Sequence, residues 1–358
     1  MTSVLLEVQD LAKHFAVKPS GLSKGLSKTV KAVDGVSFTI RRGETLALVG
    51  ESGCGKSTAG RLILRLLEPT RGAVLFDGAS VHGLKGDALR RFRAQAQLVF
   101  QDPYASLNPK LSVADAVGEP LWLHRKMSKR ERRDTVEELL TMVGLMPAHA
   151  SRFPHEFSGG QRQRIAIARA IASEPSLVVC DEAVSALDVS IRAQILNLLS
   201  DLKQRLHLAY IFISHDLGAV RFLADRVAVM YLGRIVEMGT AKDVLTSPRH
   251  PYTQALLAAA PSPRARNGAR ARMLPGDPPS PVAPPAGCAL HPRCPYAREI
   301  CAIERPELDA AEDGHSAACH FWREIEGGYD PPGPSPVSPA LAKLIAAFQD
   351  TSKPQNSY

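Results

Sequence analysis

No stretch of this 358-residue chain approaches the roughly 20 consecutive apolar residues that a membrane-spanning helix needs. The opening MTSVLLEVQD lacks a basic end leading into an apolar segment, so no secretory leader is expected. Both absences make a soluble, intracellular chain the expectation. Zinc-finger spacing, a recognition-helix pattern and the aromatic–basic signature of RNA-binding sheets are missing as well. That matters because 44 Lys and Arg against 36 Asp and Glu leave a net charge of +8. Much of the excess sits in two runs, Arg125, Lys126, Lys129, Arg130, Arg132 and Arg133, then Arg264, Arg266, Arg270 and Arg272. Without a nucleic-acid motif these read as a solvated helix face and a linker, and no nucleic-acid partner is expected.

Cysteine is sparse and uneven. Of six, Cys54 and Cys180 read as small packing residues, whereas Cys288, Cys294, Cys301 and Cys319 crowd into one short segment. In an intracellular chain such a cluster points to metal rather than to disulfides. The spacing C-x5-C-x6-C-x17-C lacks the short C-x2–4-C pairs of zinc knuckles. Four thiolates can instead hold a [4Fe–4S] cluster. Zinc and free thiols stay open, and His291, His315 and His320 lie near enough in sequence to enter the ligand set.

Length implies one large domain with a smaller appendage, and 45% apolar residues can build a sizeable core. Residues 4–8 alternate as a strand, and residues 32–40 resume after a Lys/Gly/Ser-rich insertion at 18–31 that reads as a loop. Residues 45–49 form a continuous apolar run feeding a glycine turn, the mark of a buried parallel strand. The following helix puts Ala59, Leu62, Ile63, Leu66 and Leu67 on one face and is expected to end at Pro69 and Gly72. Residues 113–172 are mostly helical and charged. Strand-like runs return at 177–180, 210–213 and 226–231, with a helical stripe of Ile191, Ile195, Leu198, Leu199, Leu202 and Leu206 between them. The alternation predicts an α/β domain over residues 1–260 with a parallel sheet and a helical subdomain inserted at about 102–173. A Pro/Arg-rich linker at 261–287, a four-cysteine module at 288–321 and a proline-rich tail at 322–358, with at most one short helix near 341–348, complete the expected organisation.

Three motifs carry chemistry. In GESGCGKS, residues 50–57, Gly50, Gly53 and Gly55 let backbone N–H groups turn toward phosphates, with Glu51, Ser52 and Cys54 completing the loop. Lys56 would reach the β- and γ-phosphates, and the Ser57 hydroxyl would hold Mg²⁺, with Thr58 following in the helix. In LVVCDE, residues 177–182, Asp181 would contact Mg²⁺ and Glu182 would polarise the attacking water as general base. Two acids ending a strand could alternatively cap the next helix. In FSGGQRQR, residues 157–164, Ser158, Gly159, Gly160 and Gln161 open a helix whose N–H groups make a second anion site. That site is redundant within one subunit.

The order of these motifs resembles the ATPase subunit of ATP-binding cassette (ABC) transporters over roughly residues 3–260. The resemblance implies a P-loop NTPase fold, an ABC-type nucleotide-binding domain with an inserted helical subdomain and a small C-terminal Cys-rich module. It implies two subunits docked head to tail, each ATP joining Lys56 of one to the Ser158–Gln161 cap of the other. It also implies that Gln101 in VFQDP senses Mg²⁺ and the attacking water and that Asp188 in SALD crosses the dimer interface. His215 in ISHD would hydrogen-bond the γ-phosphate, and Phe15 would stack on adenine. Ala183 stands where many relatives carry proline.

The stretches VFQDPYASLNPKLSV at 99–113, FPHEFSGGQRQR at 153–164, SPRHPYTQALL at 247–257 and GCALHPRCPYAREIC at 287–301 are similar to the oligopeptide/dipeptide importer ATPases. The wording after Gln101 is nearest to the second of their paired ATPases. This implies an ATPase powering peptide import from the cytoplasmic face of the membrane. Its expected partners are a second, related ATPase in a heterodimer, two permeases and an extracytoplasmic binding protein. A [4Fe–4S] cluster on Cys288, Cys294, Cys301 and Cys319 is implied too. Nickel- and glutathione-importer ATPases share nearly all these motifs. A soluble ABC protein acting on ribosomes or DNA is the rival of a different class; a single SGGQ argues against it. A scaffold that binds ATP without hydrolysing it is opposed by Glu182, Gln101 and His215.

Overall fold

The structure, a computed structural model, describes residues 3–17, 28–102, 106–185, 187–259, 274–310 and 313–325. Its centre is a run of five parallel strands. In spatial order these are β6 (Ala96–Val99), β7 (Leu177–Asp181), β8 (Ala209–Ile213), β3 (Thr45–Val49) and β9 (Arg226–Tyr231). Every residue of β3, β7 and β8 is buried, which explains why they read as unbroken apolar runs. Side chains alternate across the pleat, so β3 feeds two cores at once. Leu46 and Leu48 pack with Ile211, Ile213 and helix α1 (Lys56–Ile63). Ala47 and Val49 pack on the opposite face with Phe212, Val227 and residues of the helical region.

An antiparallel sheet covers the α1 side. Strands β1 (Val4–Val17) and β2 (Lys28–Arg41) pair along their length, and β4 (Arg71–Phe76) and β5 (Ala79–Ser80) extend the sheet in the order β2-β1-β4-β5. Both strands run far beyond the segments their alternation marked. Residues 28–31, expected in a loop, belong to β2; residues 18–27 of the same expectation lie outside the described residues. Cross-strand pairing, not apolar alternation, carries the extra length.

Helix α1 is shorter than its apolar face implied. It stops at Ile63, and Arg65 adopts a left-handed φ of 52°. The Leu66 N–H donates to the Arg61 carbonyl at 2.8 Å and the Arg65 N–H to the Leu62 carbonyl at 3.0 Å. This pair of bonds is a Schellman cap built without glycine, so the usual sequence signal is absent. Leu66 consequently turns outward and is 51% exposed, while Leu62 and Ile63 stay in the core and each contribute about 1.5–3 kcal/mol by burial.

After β6 the chain makes α2's successors on the other face: with α2 taken as Gly86–Gln95, these are α3 (Val113–Arg125), α4 (Lys129–Met142) and α5 (Gly159–Ile171). Ser112 caps α3, and Ser128 with Glu131 forms a reciprocal capping box on α4. Helix α6 (Val189–Leu206) buries Ile195, Leu198, Leu199 and Leu202 of its stripe, leaving Leu206 partly exposed at its end. Two shorter helices, α7 (Leu217–Leu223) and α8 (Ala241–Thr246), complete this side.

Antiparallel β10 (Arg234–Thr240) follows β9, and its free edge is taken by the C-terminal segment. Strand β12 (Ser316–Ala317) pairs with β10, and β11 (Asp309–Ala310) pairs with β12. The segment set apart in sequence as an appended module thus extends the main sheet. Residues 274–287, read as linker, also pack: Leu274 lies against the core, and the Pro281 carbonyl accepts from the Lys31 N–H. Fully buried Glu237 fixes the junction, accepting from the backbone N–H groups of Arg249 and His250 at 2.7 and 2.9 Å. The His315 ring nitrogen shares a hydrogen bond with the same carboxylate at 2.7 Å. Burial pushes the neighbouring His250 down to about 4, so it stays neutral and accepts from the Tyr252 N–H, opening α9 (Pro251–Ala259).

Candidate functional site

Four parallel strands end on one side of the sheet, and each delivers a marked residue there. Gly50 follows β3, Asp181 ends β7, His215 follows β8 and Gln101 follows β6. A crevice at the carboxyl ends of strands is where open α/β sheets place ligands.

The loop of residues 50–57 is wound too tightly for side chains at two of its glycines. Gly50 has φ 148°, and a Cβ there would meet the Met230 carbonyl oxygen at 2.2 Å; at Gly55, φ 107°, it would meet the Ala32 oxygen at 2.1 Å. The buried Lys56 ammonium lies inside the loop, donating to the Gly50 and Glu51 carbonyls at 2.8 Å each. Cys54 packs beneath it, its thiol pushed up by burial. Ser52 and Gly53 are exposed, and Thr58 is half-buried on α1. The Ser57 hydroxyl donates to Asp181 Oδ1 at 2.6 Å. Two hard oxygen donors from separate motifs are thereby already adjacent, as a Mg²⁺ site on substrate phosphates requires.

Next to this pair, Glu182 turns off the strand with a left-handed φ of 49°, a conformation costing roughly 1–2 kcal/mol in an ordinary residue. Its N–H donates to the Ile213 carbonyl at 3.0 Å, which extends the parallel ladder by one bond and offsets part of that cost. Gln101 Nε2 donates to Glu182 Oε2 at 2.8 Å, and His215 Nδ1 lies 3.4 Å from Oε1. Gln101, Glu182 and His215 thus meet through one carboxylate. The loop carrying His215 is braced by Asp216, which caps α7 through the Gly218 and Ala219 N–H groups and pairs with Arg192 at 2.5 Å.

The SGGQ residues stand apart from that cluster. Ser158 caps α5 in a box with Gln161, the Ser158 N–H donating to Gln161 Oε1 at 3.1 Å. Ser158 is exposed, and a side chain at Gly160 would strike Ile191 Cγ2 at 2.5 Å. Gly159 follows at the mouth of the helix, and Asp188 lies exposed just before α6. Phe15 is 38% exposed on β1. Its neighbour His14 points to the other face and binds Asp34 at 3.0 Å, so the two rings do not compete for one role.

Cys288, Cys294, Cys301 and Cys319 line one small cavity together with His291 and His320. Among the described residues, no three His, Cys, Asp or Glu side chains converge closely enough to hold a single metal ion. Burial raises the Cys288 thiol and pushes Cys294 and Cys319 up to about 11, so these carry protons at neutral pH. His315 lies elsewhere, on Glu237.

Some residues of the site could not be found from sequence. Arg192 sits in α6 with no motif of its own, and although Asp216 closes the ISHD stretch, nothing in the sequence shows that it caps α7 and pairs with Arg192. Tyr252 lies in the marked stretch 247–257, yet nothing in its spacing shows that its hydroxyl accepts from the Glu51 N–H at 2.8 Å.

A glycine-rich loop with its lysine, two strand-end acids, a glutamine and a histidine gathered at one end of this sheet are the layout of a nucleotide-hydrolysing cassette of the ABC type. The sequence matches the ABC transporter family over residues 33–185 and the oligopeptide/dipeptide transporter C-terminal region over residues 236–301. It is 50% identical to the oligopeptide transport ATP-binding protein AppF of Bacillus subtilis, over 89% of this chain and 97% of that one. It is 49% identical to the di/tripeptide transport ATP-binding protein DppF of Pseudomonas aeruginosa, over 90% of this chain and 99% of the relative. The fold is similar to the dimeric ATP-binding cassette MJ0796 bound to ADP and Pi, with TM-score 0.58 and 29% identity over 66% of this chain and 99% of that one. The chain belongs to the ATP-binding subunits of oligopeptide/dipeptide ABC transporters and is an ATPase. No helix among the described residues is long and apolar enough to cross a membrane.

Proposed function

We propose that this chain hydrolyses ATP at the carboxyl ends of β3, β7, β8 and β6 to power import of peptides through two membrane permeases. The observation that carries the reading is the Glu182 carboxylate held between Gln101 and His215, beside the joined Ser57 and Asp181. Glu182 accepts the proton of the attacking water, and Gln101 orients that carboxylate. Lys56 exchanges its loop carbonyls for phosphate oxygens, and His215 meets the γ-phosphate from the strand beside it. Ser57, Asp181 and Gln101 would hold Mg²⁺, which would neutralise charge on the phosphates. Phe15 stacks on the adenine.

The second half-site is the cap at Ser158, Gly159, Gly160 and Gln161, with Asp188 beside it, and it serves the nucleotide of a partner ATPase. An exposed helix N-terminus that is not needed by its own phosphate loop supports this reading. A related ATPase, two permeases at the cytoplasmic face of the membrane and an extracytoplasmic binding protein complete the assembly. Ser158→Arg tests it. Hydrolysis by the assembled pair should fall about 10²–10³-fold, as when one oxyanion donor is lost. The isolated chain should keep its Mg-ATP affinity; a parallel loss of that affinity contradicts the shared site.

The C-terminal segment is a Cys-rich module in which Cys288, Cys294, Cys301 and Cys319 hold a [4Fe–4S] cluster. Four soft donors lining one cavity support the assignment. Loading must displace the thiol protons, so it weakens as pH falls. Anaerobically purified protein should contain iron and acid-labile sulfide in equal amounts; zinc in their place contradicts the assignment.

A further inference from the structure

The phosphate loop is gripped from outside by the C-terminal segment. Arg293 ends the short turn His291–Arg293 between Cys288 and Cys294 and is only 8% exposed. Its Nη1 lies 3.5 Å from Glu51 Oε2 and 3.4 Å from the Tyr231 hydroxyl, and its Nε donates to the Pro275 carbonyl at 3.2 Å. Glu51 is fixed through its backbone as well. Its N–H donates to the Tyr252 hydroxyl, and Tyr252 packs on Tyr231 with ring centroids 4.6 Å apart. Its carbonyl accepts from the Lys56 ammonium at 2.8 Å.

The charge at this position is unfavourable for the loop's task. A carboxylate in a loop that must receive a polyphosphate repels it unless a cation stands beside the carboxylate. A guanidinium supplies that cation with a fixed direction, which an ammonium does not. Here the guanidinium comes from more than two hundred positions along the chain, in the very turn that carries the cysteines.

We propose that Arg293 is a positioning residue for the phosphate loop: it neutralises and orients Glu51 so that the loop can accept a nucleoside triphosphate. The cysteine-bearing segment is then a strut for the nucleotide site. The inference rests on the nucleotide reading of residues 50–57.

The test compares Mg-ATP binding and hydrolysis by the full chain carrying Arg293→Ala, Arg293→Lys, or Arg293→Ala with Glu51→Gln. Arg293→Ala should raise the KM for ATP about tenfold with little change in kcat, since one charge-assisted contact corresponds to about one decade. Adding Glu51→Gln should return most of the lost affinity, because the repelling carboxylate is gone. Arg293→Lys should recover part of it by charge alone. A residue that only packs the turn predicts no rescue by Glu51→Gln, and additive defects overturn the proposal. So does a loss confined to kcat. Should Arg293→Ala fail to fold, Arg293→Lys with and without Glu51→Gln carries the same comparison. Lys56→Ala, run in parallel, checks the underlying reading. If that variant binds Mg-ATP like the wild type, the nucleotide assignment fails independently of Arg293.

Discussion

Glu182→Gln should lower ATP turnover by about 10³-fold, within the range of a lost general base, and leave Mg-ATP binding intact. The substitution is nearly isosteric, and the new amide oxygen can still accept from Gln101 Nε2, which donates to Glu182 Oε2 at 2.8 Å. Only the capacity to take a proton is removed. The left-handed backbone at Glu182 and its bond to Ile213 do not depend on the carboxylate, so the loop keeps its shape. Single-turnover hydrolysis beside equilibrium nucleotide binding checks both halves of the statement. Turnover near the wild-type rate would assign the base elsewhere.

Lys56→Ala acts at the other end of the reaction and should remove binding and turnover together. The ammonium is buried and donates to the Gly50 and Glu51 carbonyls, so it orders the loop before it meets a phosphate. Deleting it leaves two inward carbonyls without this donor and removes the cation nearest the phosphates. Charge-assisted contacts of this kind are worth about 1.5–3 kcal/mol each, so losing two should weaken Mg-ATP by about 10²–10⁴-fold. Calorimetric titration of the full chain measures the loss directly. A variant that kept wild-type affinity for Mg-ATP would contradict the assignment of residues 50–57 to the nucleotide.

What the sequence disclosed and what it withheld divide along physical lines. Strands β3, β7 and β8 were legible because burial on both faces writes an unbroken apolar run. The end of α1 was not, because its left-handed cap uses Arg65 where glycine would have been the signal. The long β1–β2 pairing was missed for a related reason: beyond residue 8 its pairs mix charged with apolar residues, as Lys13 with Val33, and the adjacent Leu11 and Ala12 are both buried, which breaks the alternation. Within the candidate site, residues lying inside compact motifs could be picked out one by one. Their meeting could not, since Gln101, Glu182 and His215 are joined only by strand order in the sheet. Arg293 shows the limit most plainly. Its partner Glu51 is distant in sequence, and nothing around either residue announces the other.

Uptake of a labelled peptide by vesicles holding the full complex, with wild-type chain against Glu182→Gln, tests the account most directly. ATP-driven peptide accumulation is expected with the wild-type chain and none with the variant. Uptake of nickel or glutathione in place of peptide, or peptide uptake indifferent to Glu182, would contradict it.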